Sequence, residues 1–321
     1  MKEDKQEKLA EFEEPKLSLQ FPLKQDIHQL ENEKQKFIEV GINLIDSLSL
    51  NEEQFIGRPR ASYNDILKSL LMMAFHGLSY RRAKTDILNL YSANLIDSIP
   101  KRSTLSKYMN EEKTKKLLEK LIQQTALFFR DDEDTLIVDS TWLSTRMYTG
   151  GYVKVHDKTS HNYVNTRKLH IGVLKNSKII AIAKTSTGTV HDNKLFKPLV
   201  TGAVKNGFDI KTLLADKGYS SKDNYFLCTS LNIKNIFIDF KKSAGIKRAK
   251  SNAWREQLSL LRDYPEIWKE TYRYRVIVEG VISTIKRKFL NHIRSRKDVG
   301  QECELLLKCL MYNLTIIGKY S

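Results

Sequence analysis

Four polar residues, Tyr272, Arg275, Glu279 and Lys286, follow one another at gaps of three, four and seven. The run from Tyr272 to Lys286 reads as a helix. At roughly 100° per residue, all four fall within about 60° of one another on one face. Ile277, Val278, Val281, Ile282, Ile285 and Phe289 occupy the rest of the inner side. Such a helix presents a carboxylate flanked by two cations and a phenol, beside a face that can bury itself. The carboxylate can hold a divalent metal and the cations can hold phosphate oxygens. That combination suits chemistry on a nucleic-acid backbone. Taken alone, the stretch also fits an ordinary amphipathic helix with an Arg275–Glu279 ion pair, an interaction of only ~0.3–0.5 kcal/mol.

Two more carboxylates stand in a suggestive setting. Asp139 ends the run Leu-Ile-Val-Asp, and Asp216 ends Leu-Leu-Ala-Asp before Lys-Gly-Tyr. An Asp beside apolar strand residues is costly unless solvated or bound. In open α/β sheets, functional residues collect at the carboxyl ends of strands. Asp139, Asp216 and Glu279 could therefore converge on one site. Three carboxylates raise one another's pKa, and divalent metals relieve that repulsion. Mg²⁺ takes a few carboxylates and keeps waters and phosphate oxygens. Two such ions about 3.5–4 Å apart activate a water or a 3′-hydroxyl and stabilise the leaving oxygen. Singly, each Asp reads equally as a turn or cap residue.

Charge agrees with a polyanionic partner. The 321-residue chain carries a net charge of +16, unevenly placed. Residues 1–60 hold 9 Lys/Arg against 13 Asp/Glu, and the remainder holds 45 against 25. An excess of this size attracts nucleic acid without specificity. Hydrophobic content of 41% is that of a globular protein. No stretch reaches the ~18 apolar residues of a membrane span. The charged N-terminus has no apolar h-region, so no secretory signal and a cytoplasmic location are expected. Cys228, Cys303 and Cys309 make neither a disulfide framework nor a zinc motif, and read as small buried residues.

The elements that must position these groups fall into two regions. Residues 1–56 read as a polar tail and one helix over 31–56. Residues 57–130 read as short helices joined by tight turns. The first apolar helix, Tyr63 to Phe75, stops at His76-Gly77. Another runs from Tyr80 to Leu90 behind a Ser79 cap, and one starts near Pro100 with Ser103 as N-cap. A long helix from Glu111 to Arg130 closes the region. Cations cluster near the helix starts: Arg58, Arg60, Arg81, Arg82, Lys101, Arg102 and Lys107. This pattern fits a helix-turn-helix DNA reader, and equally any small helical bundle. We expect it to contact DNA.

Residues 131–321 change character. Strands are expected over 135–142, 169–174, 179–183, 213–216 and 235–239. Helices are expected over 192–206, closed by Gly207, over 220–231 and over 301–317. Three leading strands followed by alternating helices and strands predict an α/β fold with a mixed sheet, antiparallel first and parallel later. Residues 245–271 are basic and hold Trp254 and Trp268, for which packing is the safer expectation.

At these residues the chain resembles the DDE transposases of bacterial insertion sequences, in the group with a Tyr-x2-Arg-x3-Glu-x6-Lys signature. Tyr272, Arg275, Glu279 and Lys286 match it with every gap correct. Val138-Asp139-Ser-Thr141 and Ala215-Asp216-Lys-Gly-Tyr219 match the two earlier acidic motifs, and His191-Asp192 is similar to a segment often found between them. The resemblance covers residues 135–290 well. It implies an RNase H-like mixed five-stranded sheet flanked by helices and preceded by an all-α N-terminal region. It implies Mg²⁺ or Mn²⁺, two ions, held by Asp139, Asp216 and Glu279. It implies that Tyr272, Arg275 and Lys286 hold phosphates near the scissile bond. The activity implied is cleavage of double-stranded transposon-end DNA at terminal inverted repeats, and strand transfer of the 3′-hydroxyl into target DNA by a homodimer beside the nucleoid. Asp216 and Glu279 lie 63 residues apart. That leaves space only for a compact insertion near 243–271.

Two alternatives remain at this level. One is an RNase H-like nuclease or resolvase without strand transfer. The other is a catalytically silent DNA-binding relative.

Overall fold

Apolar residues on alternate faces and runs of β-branched side chains build the centre of the protein, a five-stranded sheet. The computed structural model describes residues 33–48, 61–77, 79–145, 153–154, 161–162, 166–240 and 252–320. Ahead of the sheet lie α1 (Glu33–Asp46), α2 (Tyr63–Phe75), α3 (Lys84–Ser92), α4 (Arg102–Tyr108) and α5 (Glu112–Leu127). Then come β1 (Thr135–Ser144), the two-residue strands β2 (Val153–Lys154) and β3 (His161–Asn162), β4 (Thr166–Leu174) and β5 (Ile180–Thr187). They are followed by α6 (Asn193–Lys205), β6 (Thr212–Ala215), α7 (Lys222–Ser230) and β7 (Asn235–Ile238). The chain closes with α8 (Asn252–Asp263), α9 (Pro265–Tyr272), α10 (Val276–Lys288) and α11 (Asp298–Ile317).

The strand order is β5-β4-β1-β6-β7. β1 is antiparallel to β4, which is antiparallel to β5, while β6 and β7 run parallel to β1. An antiparallel meander that continues into two parallel strands on its far side is the RNase H-like arrangement. The expected fold class is therefore the one found: a mixed sheet flanked by helices, with a helical region before it.

Side-chain alternation divides β1 between two cores. Ile137 and Leu143 join Leu169, Ile171 and Val173 on one face, under Val278, Val281 and Ile285 of α10 and the apolar residues of α11. Leu136 and Val138 point the other way, to Phe196, Leu199 and Val200 of α6 and Tyr225 and Cys228 of α7. α11 is buried nearly all round, as expected for a helix inside a core rather than on a surface. Helices α1, α2 and α5 pack on α11 and share the first of these clusters. Glu33–Ser321 thus form one compact unit.

Several local expectations need correction. The helix expected over 31–56 is seen as Glu33–Asp46, and Arg58 and Arg60 lie outside the described residues. Ser103 sits inside α4 and does not cap it; Lys101 occupies the cap position and makes no side-chain cap bond. The helix expected from Tyr80 begins at Lys84, after a turn in which Arg82 and Ala83 donate backbone N–H groups to the Ser79 carbonyl. β4 and β5 run longer than their apolar cores, because ladder bonds extend to polar residues such as Arg167 and Thr187. Residues 252–272 are helical, and Trp254 and Trp268 are both buried. Gly77 does end its helix, at φ +58°, where glycine has no Cβ penalty. All three cysteines are buried, and burial pushes the Cys228 and Cys303 thiols up to about 12, away from reactive thiolate. No described helix is long and apolar enough to cross a membrane.

Asn313 of α11 ties that helix to the edge strand β5. Its Oδ1 accepts the Ile180 N–H at 2.9 Å, while its Nδ2 donates to the Ile180 carbonyl and the Thr125 hydroxyl, both at 2.8 Å. It is fully buried. Asn313→Leu strands a buried N–H and C=O with no route to water, each worth about 1–3 kcal/mol. The variant is expected to lose about 2–4 kcal/mol, read as a lower urea midpoint. A midpoint unchanged from wild type would show that the bridge contributes nothing.

Candidate active site

The register of the parallel strands places the aspartates. Val138 of β1 pairs with Ala215 of β6, and Ala215 pairs with Ile238 of β7. Asp139, Asp216 and Asp239 follow these residues, so three carboxylates stand level on three adjacent strands: Asp216 and Asp239 just past the ends of β6 and β7, and Asp139 midway along β1, which runs on to Ser144 instead of ending near the acid as its apolar run suggests. Neighbouring strands lie about 4.8 Å apart. Asp139 and Asp239 share a local geometry: each accepts the backbone N–H of the next residue on Oδ1 at 2.8 Å. Asp239 was missed in the sequence. Its signal was there, since Ile-Phe-Ile-Asp239 repeats the apolar-run-plus-Asp pattern of the other two.

The polar stripe is not one continuous α-helix. Tyr272 ends α9, Arg273–Arg275 form a 3₁₀ turn, and α10 starts at Val276. In a 3₁₀ turn the side chains at i and i+3 eclipse, which stacks Arg275 under Tyr272 more closely than an α-helix would. The Tyr272 ring is anchored on Trp268, with centroids 4.5 Å apart. Val278, Val281 and Ile285 then seat α10 on the sheet, which leaves Glu279 exposed at the rim and Lys286 half-buried two turns on.

Arg275 joins the two halves of the site. Its Nη1 donates to Asp139 Oδ2 at 3.1 Å, and its Nη2 donates to Glu279 Oε1. Asp216 lies close enough to act on both Asp139 and Arg275. Burial raises the Asp139 carboxyl to about 6; the Ser140 N–H and Arg275 pull it down, and the charges of Asp216 and Glu279 push it up. Burial alone would lower the Arg275 guanidinium, but Tyr272 and the surrounding acids outweigh it and hold it above its ordinary value. Burial raises the Tyr272 phenol, with Arg275 opposing and Asp239, Asp216 and Asp139 adding to the rise. Burial lowers the Lys286 ammonium.

An open groove of about 500 Å³ runs on from the acids, lined by Asp139, Ser140, Thr141, Glu279, Ser283, Lys286, Arg287 and Asn291 among others. Ser283 and Arg287 stand four and eight residues after Glu279, one and two turns along the same face, so helical spacing alone could have found them. Asn291 follows the helix and could not be placed that way. Of the cations assigned to the N-terminal region, Arg81, Arg82, Lys101, Arg102 and Lys107 are all exposed.

These acids fit a divalent ion in chemistry though not in their present arrangement. Among the described residues, no three His, Cys, Asp or Glu side chains are grouped closely enough to hold one. The reason is Arg275, whose guanidinium stands between Asp139 and Glu279. The donors themselves are all carboxylate oxygens, the hard ligands that Mg²⁺ and Mn²⁺ prefer. Asp139 remains short of positive charge even with Arg275 beside it.

A fold of this topology, with acids level on adjacent strands and the cations Lys286 and Arg287 beside Asp139 and Glu279 in one groove, suits an enzyme that acts on nucleic-acid strands. Residues 130–314, more than half of the chain, match the family model described as "Transposase DDE domain", and the protein belongs to that family. It is a transposase by class, and enzymes of this family generally use divalent metal ions. Among solved structures, the piggyBac transposase synaptic complex with hairpin DNA is similar at 12% identity and a TM-score of 0.44, over 91% of this chain and 75% of that one. The Mos1 transposase paired-end complex with left transposon end is similar at 10% identity and a TM-score of 0.24, over 95% and 89%. Likenesses at this level add nothing to the family match. No curated protein matches the chain.

His170 gives the site region a pH dependence. It is fully buried on β4, its Nε2 is 2.9 Å from the Ser186 hydroxyl, and burial lowers it to about 4 against the opposing charge of Asp192. Between about 4 and 6.5 the unfolded chain binds a proton that the folded protein refuses. The stability is fully present above 6.5 and is lost as pH falls toward 4, a loss on the order of 2–3 kcal/mol. Denaturant titrations at pH 7 and pH 4.5 are expected to show a smaller acid loss for His170→Gln than for wild type. Equal losses would refute the assignment.

Proposed function

We propose that this transposase cleaves double-stranded DNA at the ends of its own element and joins the freed 3′-hydroxyl to target DNA, with Asp139, Asp216 and Glu279 as the metal-binding acids. The observation that carries the reading is the Arg275 bridge. One cation already draws Asp139 and Glu279 toward a common point, with Asp216 beside them by strand register. Bound Mg²⁺ or Mn²⁺, two ions in the usual form of this chemistry, would supply an activated attacking oxygen and a stabilised leaving one.

The chain's own residues do the rest. Arg275 leaves the acids to fork onto a phosphate, a geometry suited to guanidinium. Lys286 offers a point charge to a neighbouring phosphate, and the Tyr272 hydroxyl a hydrogen bond. Ser283, Arg287 and Asn291 extend the polar track along the groove. No side chain need act as nucleophile: water attacks the end phosphate, and the freed 3′-hydroxyl then attacks target DNA in line. The exposed cations Arg81, Arg82, Lys101, Arg102 and Lys107 hold the terminal inverted repeat, with Arg58 and Arg60 in the same role. On this reading residues 57–130 are the DNA-binding region and 131–321 the catalytic one, carrying the short insertion near 243–271. A homodimer brings two ends together, and the element is a bacterial insertion sequence acting beside the nucleoid.

Asp139→Asn and Glu279→Gln are expected to reduce Mg²⁺-dependent cleavage of a labelled end by about three orders of magnitude or more, with end binding kept within a few-fold. Wild-type cleavage by either variant would refute the site. Arg275→Ala is expected to weaken end binding and cleavage together. The slope of log affinity against log salt should also fall by about one phosphate contact; an unchanged slope would remove Arg275 from the phosphates. Strand transfer from pre-cleaved ends separates this reading from a simple nuclease.

A further inference from the structure

We propose that Asp192 and Lys168, on the face of the sheet opposite Glu279, act as a positioning pair that fixes Asp139 through Ser140. The proposal rests on the site reading above and adds residues that never touch the DNA phosphate.

Asp139 and Ser140 are consecutive on β1, so their side chains leave opposite faces. Asp139 turns to Arg275 and α10. Ser140 turns to the start of α6, where its hydroxyl donates to Asp192 Oδ1 at 2.6 Å. The same oxygen lies 2.9 Å from Lys168 Nζ. Lys168 is 4% exposed, donates to the Val190 carbonyl at 3.0 Å and lies over the Trp142 ring at 4.5 Å. One carboxylate oxygen thus gathers β1, β4 and the turn that leads into α6. The Ser140 residue is held twice, since its backbone N–H also donates to Asp139 Oδ1 at 2.8 Å. A shift of the Ser140 backbone would carry the hydrogen bond to the Asp139 carboxylate with it.

Asp192 also reaches the second acid's turn. A Cβ added at Gly218 would stand 3.8 Å from Asp192 Oδ2, so this oxygen faces the Lys217–Tyr219 turn that follows Asp216. The Tyr219 hydroxyl is buried there, close enough to Asp192, Asp139, Asp216 and Ser140 to feel all four. One side chain therefore backs both the middle of β1 and the turn after Asp216.

Asp192 has no capping duty to discharge. Its backbone is already helical, at φ −54° and ψ −38°, and it is His191 before it whose Nδ1 accepts the Asn193 N–H, at 3.3 Å. The Asp192 carboxylate turns to Ser140 and Lys168 instead.

The test is Mn²⁺ binding by electron paramagnetic resonance to the complex with a transposon-end duplex, corrected for Mn²⁺ bound by the duplex alone, for wild type, Asp139→Asn, Asp192→Asn, Ser140→Ala and the double variant. Outer partners of ligating carboxylates typically change metal affinity 10–100-fold. Asp192→Asn is expected to weaken Mn²⁺ binding about 10-fold or more, with DNA-end binding near wild type and a lowered melting temperature, since Lys168 stays buried without its counter-charge. Cleavage should recover at raised Mn²⁺, a shift in half-saturation rather than in the plateau. Ser140→Ala should behave alike, and the double variant should add little to either. If Asp192→Asn fails to fold, Ser140→Ala decides alone: weakened Mn²⁺ binding upholds the proposal, and unchanged binding overturns it. Wild-type binding that Asp139→Asn abolishes and the folded Asp192→Asn leaves intact overturns the positioning role only. Binding that survives Asp139→Asn overturns the site reading and this role with it.

Discussion

The Arg275 guanidinium, held between Asp139 and Glu279, is the contact on which the rest of the site depends. Strand pairing places Asp139 beside Asp216 whether or not the charges suit one another. Like charges on adjacent strands repel, and the charge of Asp216 does push the Asp139 carboxyl up. Burial of Asp139 makes its charge costlier still, and its carboxyl rises to about 6 as a result. Arg275 offsets part of that strain with a charge carried on the chain. It also sets where Glu279 points, because α10 is pinned on its apolar side by Val278, Val281 and Ile285 and otherwise leaves Glu279 at the rim.

The same cation explains why the acids do not yet form a metal cluster. A guanidinium holds two carboxylates apart by its own width, whereas an ion bound directly by both would draw them closer. In the proposed cycle, phosphate oxygens compete for Arg275 and release the acids. On that proposal, binding of DNA and assembly of the catalytic centre would be one event, since one residue would both recognise phosphate and block the acids.

The sheet is what makes this arrangement specific. Two consecutive residues in the middle of β1 are gripped from both sides, Asp139 from α10 and Ser140 from the start of α6. α11 runs through the core behind them and ties the edge strand, the N-terminal helices and α10 into one packed body. The exposed cations of the N-terminal helices and the groove residues Arg287 and Asn291 are thereby carried on a common frame.

Much of this was legible in the residues. The apolar run ending in Asp, repeated at 139 and 216, marks a strand in both places but a strand end only at Asp216, because β1 keeps its ladder with β4 for five residues past Asp139. The gaps from Tyr272 to Lys286 also survive translation into structure, since one turn of either helix type keeps residues three or four apart on one side. The break at Arg273–Arg275 was not legible: it is set by Tyr272 stacking on Trp268 and by Arg275 reaching β1, contacts 4 and 136 residues away in the chain. The His191-Asp192 segment was legible as a motif, but no local pattern could show that Asp192 reaches Ser140 and Lys168, or rank Asp239 beside Asp216 before the β6–β7 register was known. Sequence by itself determined which groups could do chemistry and which elements would carry them, because those follow from side-chain type and short-range periodicity. Tertiary structure alone decided which acids meet, and that a cation of the chain's own stands among them, because strand order and register are settled by burial across the whole sheet.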